Sequence, residues 1–261
     1  MEPVRQSFLP DPGMDRPAME EMQRDIAETA TFEDDHGLDP EAIALSEPLS
    51  MDVAHPTESR GGPIVAGIDQ AFLDGEAVSA VVAIQSGTVV EVACGRTALE
   101  IPYIPGLLAF REGAPIVEAL RGLSVDPSLL VLDGSGRIHF RQAGIATHVG
   151  VIFDVPAIGV AKRLLCGTPE RELTEPLPAG ERIPITADDD VTAPAGTVIG
   201  YAFQSRQFPD PGVRHVNPLY VSPGHRVSAS GAVDLVEVLC SGYKLPEPTR
   251  LADRAAEECK E

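Results

Sequence analysis

Two uninterrupted apolar runs constrain this chain most: "SLLVLDG" at 128–134 and "AIGVAK" at 157–162. Runs without alternation suit strands buried on both faces, so the sheet that holds them needs helices on both sides. The flanking segments supply such helices. Ile116, Leu120 and Leu123 recur at helical spacing and predict a helix over 113–123, with Pro115 in its first turn. "RQAGIATHVGVIFD" predicts a second over 141–154, ended by Val155-Pro156. Upstream, Ile64–Ile68, Val78–Gln85 and Val89–Ala98 read as an antiparallel meander with Gly75 and Gly87 in its connections. Downstream, a loop-rich stretch from about 167 carries strands at Thr197–Phe203 and Leu219–Ser222, and "VSASGAVDLVEVLCSG" makes a closing helix. A meander followed by alternating helices and strands is an α/β fold with a mixed sheet flanked by helices.

The 261 residues suit one main domain, expected over 61–245. Residues 1–60 read as an acidic N-terminal extension. "MEEMQRDIAETATF" gives it one amphipathic helix, and the turn-rich stretch after it, through Pro63, is expected to be irregular. Residues 246–261 read as a peripheral tail. No run approaches the roughly 18 to 20 apolar residues of a membrane span, and the N-terminus has no basic-then-apolar leader. A cytoplasmic monomer is expected. The four cysteines (Cys94, Cys166, Cys240 and Cys259) include no CxxC pair, so neither a zinc site nor a disulfide framework is expected.

Charge narrows the setting further. Forty acids against 20 bases leave a net charge of −20, and only three of the bases are lysines. Such a surface suits concentrated salt, where self-repulsion is screened, and a halophilic source is expected. The charge is uneven: residues 1–60 carry 15 acids and 4 bases, whereas 101–165 carry 5 acids and 6 bases. The second segment is where a polyanion can approach without general repulsion.

That segment opens with "IPYIPGLLAFRE". Two prolines hold Tyr103 and Ile104 on a stiff, extended backbone, so both side chains are presented outward. Three acids sit nearby in the fold plan. Asp69 ends the first strand, Glu112 follows the run after the prolines, and Asp133 ends the buried strand. Each has an ordinary reading: Asp-Gly after a strand is usually a turn, and a glutamate favours a helix N-terminus. Together they could hold Mg²⁺, which takes hard oxygen ligands and can activate a water toward a phosphodiester. Lys162, just after a buried strand, is either a solvated lysine or a phosphate contact. His225, after a Pro-Gly turn, is a proton donor, a supporting residue or simply a turn residue. His148 is equally a core histidine.

Taken in order, "VAGID", "PYIPGLLAFRE", "LDGSGRIHFRQAGIATHVG", "IGVAKRLLCG" and "PLYVSPGHRV" resemble endonuclease V, the deaminated-purine repair nuclease, from about residue 62 to 242. The resemblance implies a ribonuclease-H-like fold. It also implies Mg²⁺-dependent (or Mn²⁺-dependent) cleavage at the second phosphodiester 3′ to hypoxanthine, leaving 3′-hydroxyl and 5′-phosphate ends. Asp69, Glu112 and Asp133 would be the metal-site acids, with His225 completing the catalytic group and Lys162 contacting phosphate or the nucleophile. Tyr103, Ile104 and Pro105 would form a wedge beside the flipped base, and Gly134, Gly136 and His139 would border its pocket. Phe140 and Gln142 depart from the family pattern, which commonly has proline and a basic residue there. DNA containing deoxyinosine is the expected substrate. Inosine-containing RNA, or a non-catalytic lesion-binding role, is the alternative.

Overall fold

The computed structural model describes residues 1–53 and 61–261. Nine strands make one sheet: β1 (Ile64–Leu73), β2 (Glu76–Gln85), β3 (Thr88–Ala98), β4 (Leu129–Asp133), β5 (Ala157–Ala161), β6 (Thr168–Pro169), β7 (Arg182–Thr186), β8 (Val198–Phe203) and β9 (Leu219–His225). Their order is β3-β2-β1-β4-β5-β9-β8-β7-β6. The meander pairs antiparallel, β1, β4 and β5 run parallel, and the remaining pairs are antiparallel. This is the ribonuclease-H-like mixed sheet. The strands β6 and β7 arise in the stretch expected to be loop.

Helices cover both faces, as the two apolar runs require. On one face, α3 (Leu108–Gly122) and α4 (Ile145–Phe153) pack Ile116, Leu120, Val149 and Ile152 against Ala66, Ile68, Leu130 and Leu132. On the other, α5 (Ala229–Val238) packs Val233 and Val236 against Val65, Leu129, Val131 and Ile158. Alternate residues of β1 and β4 thus enter opposite cores, the two-residue period of a strand covered twice.

Two helix boundaries differ from expectation. α3 starts at Leu108, so "LLAF" forms its first turn and Pro115 lies inside it. Proline there removes a helical N–H bond, and the same stretch meets β3 closely: a Cβ on Gly95 would lie 2.1 Å from the Pro115 carbonyl oxygen. α4 starts only at Ile145, because Gln142 turns the chain with a positive φ of 55°.

Both chain ends correct the sequence reading more strongly. The tail expected to be peripheral is α6 (Glu247–Glu258), which buries Leu251, Ala252, Ala255 and Ala256 against β1 and β2. Its start presses on mid-strand Gly67, where a Cβ would lie 1.9 Å from the Pro248 carbonyl oxygen. This packing brings Cys259 to β3, where it forms a disulfide with Cys94 across 165 residues, against the expectation of no disulfide. Cys166 and Cys240 are free.

The N-terminal residues are not an appendage either. α1 (Arg16–Thr29), capped by Asp15, buries Ile26 against Ala143 and Val151, and Met19 against Ile101, Leu107 and Phe110. A short helix, α2 (Pro40–Ile43), interrupts the stretch expected to be irregular and buries Ile43 near α5. The 54–60 part of that stretch lies outside the described residues. Among the described residues no helix is long and apolar enough to cross a membrane.

Candidate active site

Strand register builds the centre of the site. Ile68 pairs with Leu132 on parallel strands, so Asp69 and Asp133 stand side by side where β4 stops, about 4.8 Å apart in strand spacing. Asp69 does not end its strand as expected, because β1 continues beside β2 through Leu73. Lys162 follows the neighbouring strand and donates to Asp133 Oδ2 at 2.6 Å. Asp69 Oδ1 accepts the Gln70 backbone N–H at 2.7 Å. Burial first, and the Asp133 charge second, push the Asp69 carboxyl up to about 8, although the Gln70 N–H and Lys162 oppose this. On Lys162, burial favours the neutral form, but the hydrogen bond it donates to Asp133 and the surrounding acids outweigh it and raise its pKa.

Two adjacent carboxylates that resist ionising together need a cation. Lys162 answers only Asp133. The remaining oxygens are the hard donors that Mg²⁺ takes, so the residues fit a divalent ion. Among the described residues no three His, Cys, Asp or Glu side chains already converge into a ligand group.

Glu112, in the second turn of α3, is buried, and burial lifts its carboxyl to about 7 despite Arg111 nearby. Among the described residues it does not converge with Asp69 and Asp133 into one ligand group, as the sequence reading expected.

A residue missed from sequence joins this centre. Asp253 projects from α6, and its charge raises both Asp69 and Lys162. Its signal in sequence is weak: one exposed acid between the buried pairs Leu251-Ala252 and Ala255-Ala256, on a segment that reads as a peripheral tail.

His225 is not brought to the acids. Asp133 pairs with Val160 at one end of β5, whereas His225 pairs with Ala157 at the other. It is 2% exposed. Its Nε2–H donates to Asp154 at 3.0 Å, and its Nδ1 accepts the Thr31 N–H at 3.2 Å. Burial lowers its pKa, partly offset by Asp154. The sequence placed it after a short strand ending at Ser222. β9 in fact continues through His225 and carries it away from the acids to a latch that fastens the N-terminal segment.

A cleft of about 400 Å³, mouth included, is lined by Gln23, Tyr103, Ile104, His139, Ile145 and Ser135 among others; Ser135 lies two residues beyond Asp133 in the chain. Tyr103 is 65% exposed at its rim, and Pro105 is exposed as well. Gly134 and Gly136, expected to border the pocket, are not among its lining residues. Gly136 donates its N–H to Ser222 at 2.9 Å, and a Cβ there would lie 2.3 Å from the Pro223 carbonyl oxygen. His139 is buried, and burial lowers it to about 4. It is neutral, with Nδ1 accepting from Arg141 N at 3.2 Å and Nε2–H donating to the Gly106 carbonyl at 3.0 Å. That carbonyl accepts a second bond from Gln23 Nε2 at 2.8 Å. The turn after the two prolines, where Gly106 has a φ of 79°, is thus pinned from α1 and from the cleft wall. Gln23 was also missed, because helical spacing alone makes it a polar residue on an amphipathic helix.

Comparison with known proteins decides the family. The Endonuclease V family model matches residues 48–254. The chain belongs to the endonuclease V family. It is a DNA-repair nuclease, a phosphodiester hydrolase acting at deaminated purines. Endonuclease V of Halobacterium salinarum is 61% identical over 260 residues, covering 98% of each chain. That of Haloarcula marismortui is 57% identical, covering 99% of this chain and 97% of its own. These halophile relatives accord with the salt-adapted composition. Among solved structures, the catalytic domain of human endonuclease V superposes with a TM-score of 0.72 at 29% identity, covering 94% of this chain and 95% of that one. The Bacillus subtilis structure, with a TM-score of 0.76 at 23% identity, covers 100% of this chain and 97% of its own and shares the fold.

Proposed function

We propose that this protein nicks DNA at the second phosphodiester 3′ to deoxyinosine, leaving 3′-hydroxyl and 5′-phosphate ends, with Mg²⁺ held by Asp69 and Asp133. One observation carries the reading: the paired carboxylates, with Lys162 beside them, are linked through Ser135, two residues beyond Asp133, to a cleft rimmed by an exposed, rigidly mounted tyrosine. A Ciona intestinalis endonuclease V has been solved with a 24mer DNA containing an inosine followed by a ribo-adenosine, and the same substrate class suits this cleft.

Each part then has a task. When bound, the ion supplies positive charge to the phosphodiester and lowers the pKa of a water; Mn²⁺ offers the same chemistry. Asp69 and Asp133 hold it, with Asp253 adding negative charge from α6. Lys162 bridges from Asp133 toward the phosphate. Glu112 exchanges a proton close to neutrality. The cleft takes the extruded base, and Tyr103 with Ile104 fills the space it leaves, offsetting part of an unstacking cost of a few kcal/mol. His139 and Gln23 hold the turn that carries this wedge.

The test is an oligonucleotide duplex with one inosine, incubated with Mg²⁺ and with chelator, with the product ends mapped. Cutting at the second 3′ phosphodiester that stops in chelator is expected; uncut or randomly cut DNA refutes the reading. A matched inosine RNA in the same assay decides between the two sugars, because the 2′-hydroxyl is sensed at the site itself.

A further inference from the structure

The chain has three lysines, and carboxylates engage two of them: Asp133 holds Lys162 and Glu257 holds Lys260. Lys244 differs. It lies between α5 and α6, partly buried, and its Nζ donates to the side-chain oxygen of Asn217. Among the described residues it forms no ion pair, in a chain with 40 acids and 20 bases. A protein so rich in acids has left this cation open.

The sheet fixes its position. Ser205, just beyond β8, donates to the Lys244 carbonyl at 2.5 Å. Asn217 stands two residues before β9, whose Tyr220 pairs with Ala161, the residue before Lys162. The order β1-β4-β5-β9 therefore lays out Asp69, Asp133, Lys162 and the Asn217–Lys244 pair in a row along one sheet end. The two ammonium groups feel each other: burial first, and the Lys162 charge second, hold Lys244 below the ordinary lysine range. Asp133 balances Lys162, but nothing among the described residues balances Lys244. An unpaired charge near a like charge is unfavourable, and an anion bound from outside relieves it.

We infer that Lys244 and Asn217 form a phosphate-binding position for the cut strand, engaging a backbone phosphate adjacent to the one Lys162 faces. This assignment rests on the nuclease reading of the Asp69–Asp133 site. An ammonium has three N–H donors. Asn217 orients one, leaving two, together with its own amide N–H groups, for phosphate oxygens. The row along the sheet end then sets the direction in which the strand crosses the acids.

The experiment measures binding to an inosine duplex in chelator across a KCl series in which the parent stays folded. Removing one phosphate contact reduces the slope of log K against log salt by about 0.7 to 0.9, and that loss is expected for Lys244→Gln. Lys244→Arg should keep the parent slope, and Lys260→Gln, a distant paired lysine, should not change it. Asn217→Asp supplies the missing carboxylate without removing the lysine. It should reproduce the loss, and it keeps the test open should Lys244→Gln fold poorly. A single uncharged methylphosphonate, stepped along the lesion strand, should weaken the parent at one position where Lys244→Gln is indifferent. Parent-like slopes in both Lys244→Gln and Asn217→Asp, with the same methylphosphonate profile, overturn the assignment while leaving the nuclease reading intact. A parent that neither prefers nor cuts inosine DNA overturns that reading, and this one with it.

Discussion

Single residues at this site are governed by where two parallel strands stop pairing. Asp69 and Asp133 were legible in sequence because each closes an apolar run; Asp133 does end β4, but β1 continues through Leu73, so Asp69 lies inside its strand rather than at its end. Asp133→Asn keeps the shape while removing a charge the ion requires. Cleavage should vanish with inosine-duplex affinity largely retained; near-normal single-turnover cutting by the purified variant would remove Asp133 from the metal site. His225 and Asp253 were misjudged for one reason: their places depend on how far β9 runs and where α6 lands, and neither distance is encoded locally. Histidines also give a pH signature. His139 and His148 are both buried and held near 4 by burial, below the unfolded value of about 6.5. The unfolded chain therefore binds more protons between those values, so the stability from these groups is full above pH 6.5 and is lost as pH falls toward 4. Each contributes up to about 1.4 kcal/mol per pH unit in that window. Asp69 and Glu112, raised to about 8 and about 7, act in the opposite sense, binding more protons when folded. Mg²⁺ held at Asp69 keeps that carboxyl ionised and suppresses its contribution. Thermal unfolding in Mg²⁺ should thus show a steeper acid loss than in chelator; equal slopes would contradict the raised Asp69 carboxyl, and no acid loss in Mg²⁺ would contradict the buried-neutral histidines.

At the scale of elements, the wedge turn is a short rigid piece whose backbone is held twice. Tyr103 on it touches little of the protein, so Tyr103→Ala should leave folding and metal dependence unchanged. Base–aromatic stacking is worth about 1 to 3 kcal/mol, so preference for inosine over undamaged duplex should drop about ten-fold in competitive binding. Unchanged preference would make the prolines purely structural. Gln23→Ala tests the support behind it. The Gly106 carbonyl loses one donor while His139 keeps the other, and discrimination should fall in the same direction as with Tyr103→Ala, with the Mg²⁺ requirement intact. A stability loss alone, with full discrimination, would reduce Gln23 to a packing residue. The central strands and α5 were legible because binary pattern and turn residues agree. α6 was not. Its first residues, "EPTR", look like a breaker, and its apolar stripe is mostly alanine, which reads weakly until the sheet surface it covers is known. The helix α1 was itself legible from its amphipathic spacing, but its packing onto the domain was not, because only Met19, Gln23 and Ile26 are buried on it.

The whole molecule carries −20 charges on 261 residues, and this sets its working conditions. Nucleic-acid binding ordinarily weakens steeply as salt rises, because each phosphate contact releases counterions. Here a second effect runs the other way. The acidic surface repels both itself and DNA, and salt confines that repulsion to a Debye length of about 3 Å at 1 M. Lysine is sparse on the binding side as well: Lys162 is shared with Asp133 and Lys244 is bonded to Asn217, so lysines release few counterions per bound strand. The N-terminal acids sharpen the dependence, because α1 and the latch at His225 tie that acidic segment to the cleft wall rather than leaving it free. Self-repulsion at low salt should therefore loosen the same segment that supports the wedge. Fold and inosine-specific nicking are both expected to need high KCl, with nicking persisting near 1 M, where counterion release would stall a basic nuclease. Thermal unfolding and nicking, measured across a KCl series at fixed Mg²⁺, should rise together. Full activity at low KCl with a monotonic decline above it would refute the salt requirement and leave the nuclease chemistry standing.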